Sequence, residues 1–237
     1  MIMEKKGADA GKRAAGYRAA DLVKNGMVIG LGTGSTVFFA MERLQERISS
    51  GLSVSGVPTS TQTAIRARRF GIPLATLDDY PKLDLAIDGA DQVDPGFRLI
   101  KGRGAALTRE KCVAAVSRQF IVVVDESKIT SCLNAPVPLE VLPFAATPVM
   151  VQLKVMGGIP VVREGTKKDG PVITDNGNFV IDCGFGDIDN PEELEGLLAG
   201  IPGIVESGLF TGFTQKTKVI VGGLKKCRIL SSGDVVS

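Results

Sequence analysis

The sequence predicts an α/β fold: a mostly parallel sheet covered by helices on both faces, joined to a smaller α+β unit. Three observations carry this. Short apolar runs alternate with helical patterns from residue 9 to 124, as crossover helices between parallel strands require. From Ser131 onward the chain changes to short strands punctuated by Pro136, Pro138, Pro143 and Pro148. Lys218 to Val221 is again a short apolar strand, able to return to the first sheet and make the second unit an insertion. The expected division is 1–130 plus 206–237 for the larger domain and 131–205 for the smaller.

Each element has its own warrant. Residues 9 to 25 read as an Ala-rich helix with Tyr17, Leu22 and Val23 on its apolar side, stopped by Asn25-Gly26. Met27 to Leu31 is a strand, followed by Gly-Thr-Gly-Ser-Thr. Val37, Met41, Leu44 and Ile48 then fall at helical spacing, with Glu42, Arg43, Glu46 and Arg47 between them. Strands are expected at 52–57, 72–76, 83–87 and 120–124, and helices at 61–69 and 105–118. In the smaller unit, helices are expected near 147–156 and 191–199, with strands at Val161-Val162, Val172-Ile173 and Phe179 to Ile181.

Composition bounds the function. Of 237 residues, 44% are hydrophobic and 23% charged, a chain that folds around a core of one large domain or two unequal ones. No apolar run approaches the ~20 residues that cross a bilayer, so no membrane association is expected. MIMEKKGADAGKR has no apolar stretch behind its charges, which argues against a secretory signal and for a cytoplasmic protein. A net charge of +2 and 5% aromatic residues speak against nucleic-acid partners. Cys112, Cys132, Cys183 and Cys227 form no CxxC pair and read as buried thiols. Histidine is absent, which rules out imidazole-based triads and His-ligated zinc; proton transfer near neutral pH falls to carboxylates or lysines. The 29 glycines exceed the usual ~7% and point to tight turns or phosphate-cradling loops.

Four polar clusters each follow an apolar strand: GLGTGST (30–36), PTSTQT (58–63), DGADQVD (88–94) and DESK (125–128). They should sit at the strands' carboxyl ends, where open α/β sheets bind ligands. GLGTGST lacks the third glycine of a dinucleotide loop, whose place is taken by Val37, and it is not a Walker loop. It offers a helix N-terminus and the hydroxyls of Thr33, Ser35 and Thr36, suited either to a phosphate monoester or to a plain Ser/Thr N-cap. KGRGAALTREK (101–111) is a second glycine loop entering a helix. Its Glu110 can be a functional carboxylate or a surface residue offsetting the helix dipole. Asp88 and Asp91 are close enough in the chain to perturb one another, whereas the spacing does not match a calcium loop. Lys128 and Lys12 are further cations that can equally be solvated.

GLGTGST, DGADQVD, KGRGAALTREK and DESK resemble, in order and spacing, the type A ribose-5-phosphate isomerases. PEELEGLLAGIPGIVESGLF (191–210) is similar to that family's C-terminal segment, so the resemblance covers nearly the whole chain. It implies a Rossmann-like domain with a small ferredoxin-like domain, a homodimer or homotetramer whose contacts involve the smaller domain, and no metal or organic cofactor. The activity implied is interconversion of ribose 5-phosphate and ribulose 5-phosphate, in the non-oxidative branch of the pentose phosphate pathway. The site implied comprises Glu110 as base, Asp88, Asp91 and Lys101 as catalytic partners, and Thr33, Gly34, Ser35, Thr36, Gly89, Ala90, Gly102, Arg103, Gly104 and Lys128 around the sugar phosphate. Two positions depart from the family pattern: Gln92, where the loop more often reads DGADE, and Arg103, where a third glycine is common. They put substrate affinity and pH profile in question, not the reaction class. A different class, the non-catalytic sugar-phosphate sensor, would need the phosphate loops but not Glu110, and no helix-turn-helix accompanies them.

Overall fold

The computed structural model describes residues 9–167, 169–223 and 227–231, together with the backbone of 2–8. Residues 232–237, within the range assigned to the larger domain, lie outside the described residues. In chain order the elements are α1 (Ile2–Ala20), β1 (Met27–Leu31), α2 (Ser35–Ser49), β2 (Val54–Pro58), α3 (Thr61–Arg69), β3 (Leu83–Asp88), β4 (Gln92–Val93), β5 (Leu99–Ile100), α4 (Leu107–Val116) and β6 (Ser117–Asp125). They continue with β7 (Val137–Val141), α5 (Ala146–Val155), β8 (Ile159–Val162), β9 (Phe179–Gly184), α6 (Pro191–Ala199), β10 (Ile204–Ser207), β11 (Leu209–Phe210), β12 (Thr217–Gly222) and β13 (Cys227–Ser231). The chain forms two compact units: one contains the residues up to Ala90, Arg109–Ile129 and those from Phe213, the other Asp91–Thr108 and Thr130–Gly212.

The first unit is built on a six-stranded sheet of order β13-β12-β6-β3-β1-β2, parallel except for β13, which runs antiparallel to β12. β12 pairs with β6, so the chain returns to the first sheet after the second unit. Because β2 lies on one side of β1 and β3 on the other, the strand order reverses between β1 and β3. That is the switch point at which open α/β sheets form a crevice. Ile29, Leu31, Leu85, Ile87, Ile121 and Val123 supply the buried sheet side chains beneath Val37, Met41 and Leu44 of α2, the residues whose helical spacing marked this face.

The second unit contains a four-stranded antiparallel sheet of order β10-β7-β9-β8 with α5 and α6. The succession β7-α5-β8-β9-α6-β10 is the ferredoxin-like arrangement. Leu139, Val141, Val149, Leu153, Ile181 and Leu198 form its core. A second, three-stranded sheet of order β11-β5-β4 completes the unit. The stretch 91–108, which the sequence reading keeps in the larger domain, packs in this unit because β5 pairs with β11.

Some expectations are corrected. The expected strand 72–76 is reduced to one bridge, Leu74 to Gly56, because Pro73 has no N–H to extend a ladder. The expected strand at 172–173 is likewise an isolated bridge, Ile173 to Phe179. α1 ends at Ala20, ahead of the expected stop at residue 25. Only Cys183 is a buried thiol, its pKa pushed up to about 11 by burial; Cys112 is exposed on α4, and Cys132 and Cys227 are half-buried. Among the described residues no helix is long and apolar enough to cross a membrane.

Candidate active site

The first unit gathers its polar clusters at the carboxyl edge of the sheet, with β1 and β3 in register. Leu31 pairs with Ile87, and Gly32 N–H donates to Ile87 O at 2.9 Å, so Gly32 and Asp88 leave the sheet side by side. Asp88 is buried, and its Oδ1 accepts from the N–H of Gly89 at 2.7 Å and of Thr33 at 3.2 Å. These donors fix the carboxylate at the switch point. Ala90 follows on the same loop.

GLGTGST is not a Ser/Thr-capped turn. The N-cap of α2 is Gly34, at φ +153°, a left-handed value that favours glycine, and no side chain among the described residues caps it. The first N–H groups of α2, beginning at Ser35 and Thr36, thus have no side-chain cap among the described residues. The hydroxyl of Thr33 meets the PTSTQT residues. Its Oγ1 lies 3.0 Å from Thr59 Oγ1, 2.7 Å from Ser60 Oγ and 3.2 Å from Thr63 Oγ1. PTSTQT therefore braces the glycine loop, while Ser60 also caps α3 by accepting from Thr63 N–H at 3.1 Å.

Glu110 is the fourth residue of α4 and is 4% exposed, which excludes the dipole-compensating surface role. Val113, one turn further along, packs on β1 so closely that a Cβ on Gly30 would lie 2.2 Å from Val113 Cγ1. α4 runs from the carboxyl edge of the sheet back to its amino edge. Glu110 therefore projects on the same helix face as Val113 but about 4.5 Å nearer the carboxyl edge, at the level where β1 and β3 end. Lys216 anchors the other end of α4, its Nζ donating to the carbonyls of Ala114, Ala115 and Ser117 at 2.8, 2.9 and 3.0 Å.

Lys128, half-buried, closes a 3₁₀ turn after β6 that Asp125 caps by accepting from Ser127 N–H at 3.0 Å. Lys12 is half-buried on α1; its neighbour Gly11 touches Gly222 at the carboxyl end of β12, which puts Lys12 at the same edge. An open surface cavity of about 510 Å³ lined by Asn25, Arg43, Glu46 and Arg47 lies instead around the C-terminus of α2, and none of its lining residues belongs to the four motifs.

The second unit holds the remaining candidates. Lys101, directly after β5, is 2% exposed; its N–H donates to Gly208 O at 2.8 Å and its ammonium lies 5.4 Å from the ring centre of Phe210. Gly102, at φ +114°, opens a turn closed by Ala105 N–H to Gly102 O at 3.0 Å, with Arg103 and Gly104 exposed at its tip. Arg103 N–H donates to Asp91 Oδ2 at 3.0 Å, and its Nε is 3.7 Å from Asp91 Oδ1. Arg163, which the sequence reading missed, donates to Gly102 O at 2.9 Å and Arg103 O at 3.1 Å while pairing with Asp182. Gln92 has a structural reason. Its amide accepts from the N–H groups of Asn134 and Ala135 and donates to Asn134 Oδ1 at 2.8 Å, a donation that a glutamate could not make when ionised. The third aspartate of the motif, Asp94, folds the turn at 94–98 by accepting from Gly96 N–H, Arg98 N–H and Arg98 Nε.

Buried carboxylates at a switch point, beside an uncapped helix N-terminus, are the marks of an α/β enzyme acting on an anionic ligand. The chain matches the family model for ribose 5-phosphate isomerase A (phosphoriboisomerase A) over residues 55–226. It is 64% identical over 227 residues to the ribose-5-phosphate isomerase A of Methanoregula boonei, with 96% of each chain covered. The structure of ribose 5-phosphate isomerase A from Methanocaldococcus jannaschii is similar at a TM-score of 0.89 and 46% identity, over 93% of this chain and 98% of that one. A D-ribose-5-phosphate isomerase solved in complex with phospho-erythronic acid is similar at a TM-score of 0.90 and 44% identity, over 93% of this chain and 97% of that one. The chain belongs to the ribose 5-phosphate isomerase A family, and the sensor reading draws no support from these relatives.

Proposed function

We infer that this chain is an aldose-ketose isomerase interconverting ribose 5-phosphate and ribulose 5-phosphate in the non-oxidative branch of the pentose phosphate pathway, with Glu110 as the base. The burial of Glu110 on the helix face that meets β1 carries the second half of this reading.

The reaction moves one proton between adjacent carbons. In the open-chain aldose, Glu110 takes the proton from C2; the electron pair passes into a C1–C2 double bond and the carbonyl oxygen at C1 takes on negative charge, giving an enediolate. The same carboxyl then returns the proton to C1 while the proton of the C2 hydroxyl passes to the oxygen on C1, leaving a hydroxyl at C1 and the ketone at C2. The oxyanion needs a fixed positive group, and Lys101 supplies it in this reading. Asp88 and Asp91 hold substrate hydroxyls, and one of them assists ring opening. The N–H groups around Gly34, Ser35 and Thr36, with Lys128, grip the distal phosphate, so that remote binding energy orients the reacting carbons. This reading also assigns Gly89, Ala90, Gly102, Arg103 and Gly104 to binding of the sugar phosphate, with Lys12 as a helper. The proposed working form is a cytoplasmic homodimer or homotetramer, assembled through the smaller domain.

The test is Glu110→Gln. A positioned general base supplies ~10² to 10⁴ in rate, so kcat should fall by at least about 10² while ribose 5-phosphate still binds with near wild-type affinity. Wild-type-like turnover would remove Glu110 from the mechanism. Exchange of the C2 proton with solvent during turnover gives a second readout, since a hydride shift would show none.

A further inference from the structure

Glu140, on β7, is 0% exposed and takes no part in the chemistry above. Its carboxylate is held by four neutral donors: Thr174 Oγ1 at 2.8 Å, Asn178 Nδ2 at 2.8 Å and Asn176 Nδ2 at 3.0 Å to Oε1, and Thr108 Oγ1 to Oε2. Three of these come from the single turn 174–178. The fourth comes from the second residue of α4, the helix that carries Glu110.

Burying a carboxylate costs several kcal/mol, and an apolar side chain of the same volume would fill the space without that penalty. What only the charge provides is a set of hydrogen bonds about twice as strong as neutral ones. Three of them fold a turn. The Thr108 bond does something else, because it ties the first turn of α4 to β7. Thr108 and Glu110 are two residues apart, about 200° around the helix, so the tie grips α4 on the side away from Glu110. It fixes the rotation and axial position of that turn from the side opposite Glu110.

We propose that Glu140 is a positioning residue for Glu110, acting through Thr108 to hold the first turn of α4 where its carboxylate can reach the substrate carbon. The proposal rests on the reading of Glu110 as the base. Placement is demanding, since an error of about 1 Å can cost ~10² in rate.

Two variants separate positioning from plain stability. Thr108→Val keeps the side chain's shape and removes only the donor from α4. Asn176→Ala, at an exposed residue, removes a donor to the same carboxylate without touching α4. Both should lower the thermal midpoint. Thr108→Val should lower kcat about 10-fold with KM changed less than twofold, Thr108→Ser should restore kcat, and Asn176→Ala should keep wild-type kcat. An unchanged kcat in Thr108→Val, or an equal loss in both variants, overturns the proposal. Should Thr108→Val not fold, Thr108→Ala against Asn176→Ala makes the same comparison. The two readings fail separately: active Glu110→Gln removes the base, whereas inactive Glu110→Gln beside fully active Thr108→Val removes only the positioning.

Discussion

The carboxylate of Asp88 occupies the space directly above Gly32: a Cβ at position 32 would lie 2.0 Å from Asp88 Oδ1 and 2.1 Å from its Cγ. Glycine is required here for room, since the φ at this residue is not in the left-handed region. Gly32→Ala must therefore displace Asp88 from the N–H groups of Thr33 and Gly89. The expected outcome is a loss of about 10² in kcat/KM for ribose 5-phosphate, with overpacking costing about 1–3 kcal/mol of stability. A steady-state assay checks the first and a thermal melt the second; full activity would show that Asp88 need not sit where it does.

Arg163 reaches Asp91 through one peptide group. Its guanidinium binds Gly102 O, and in a trans peptide the N–H of the next residue points the opposite way. That N–H, of Arg103, donates to Asp91 Oδ2. Fixing the carbonyl thus aims the donor that orients the aspartate. Arg163→Met should lower kcat/KM about 10-fold. Arg163→Lys should recover only part of it, because an ammonium cannot hold Asp182 and two carbonyls with the planar fork of a guanidinium. Added guanidinium ion should partly restore Arg163→Ala, measured as a rise in kcat/KM with its concentration; no difference between Arg163→Met and wild type would sever the link.

The parts of this architecture that could be read from the sequence are those that repeat a local rule. α3 runs from Thr61 to Arg69 as expected, because Ser60 supplies a cap and the apolar spacing is regular. β1 and β6 follow from continuous apolar runs, which buried parallel strands need, and β3 from a run interrupted by Asp84. The two-residue strands β4 and β5 were invisible, being too short to show a period; they exist through pairing with each other and with β11. The site follows the same division. Glycines and carboxylates at strand ends could be picked out, yet Thr59 and Thr63 as supports of Thr33, and Arg163 as a support of the KGRG loop, are contacts made only by tertiary folding. Glu140 carried no signal at all, since Pro-Leu-Glu-Val reads as a strand with one polar residue facing out, and only the donors brought in from Thr108 and the turn 174–178 explain why that carboxylate is inside.

Glu140 also sets an expectation for acid stability. Burial by itself would raise its pKa, but the hydrogen bonds from Thr108, Asn178, Asn176 and Thr174 outweigh this and hold it below the ordinary 4.5. The folded chain then binds fewer protons than the unfolded chain around that pH. The contribution to stability is therefore present in full above the unfolded pKa and is lost as pH falls through the folded value. Glu140→Gln keeps one acceptor oxygen but sets an NH₂ group among donors, so at pH 7 it should be less stable by about 1–3 kcal/mol. On acidification below pH 4.5 the wild-type midpoint should fall toward that of Glu140→Gln, and the gap between them should narrow. Thermal melts from pH 7 to pH 3 measure this directly, and a gap that stays constant over the range would mean that the buried carboxylate gains nothing from being charged.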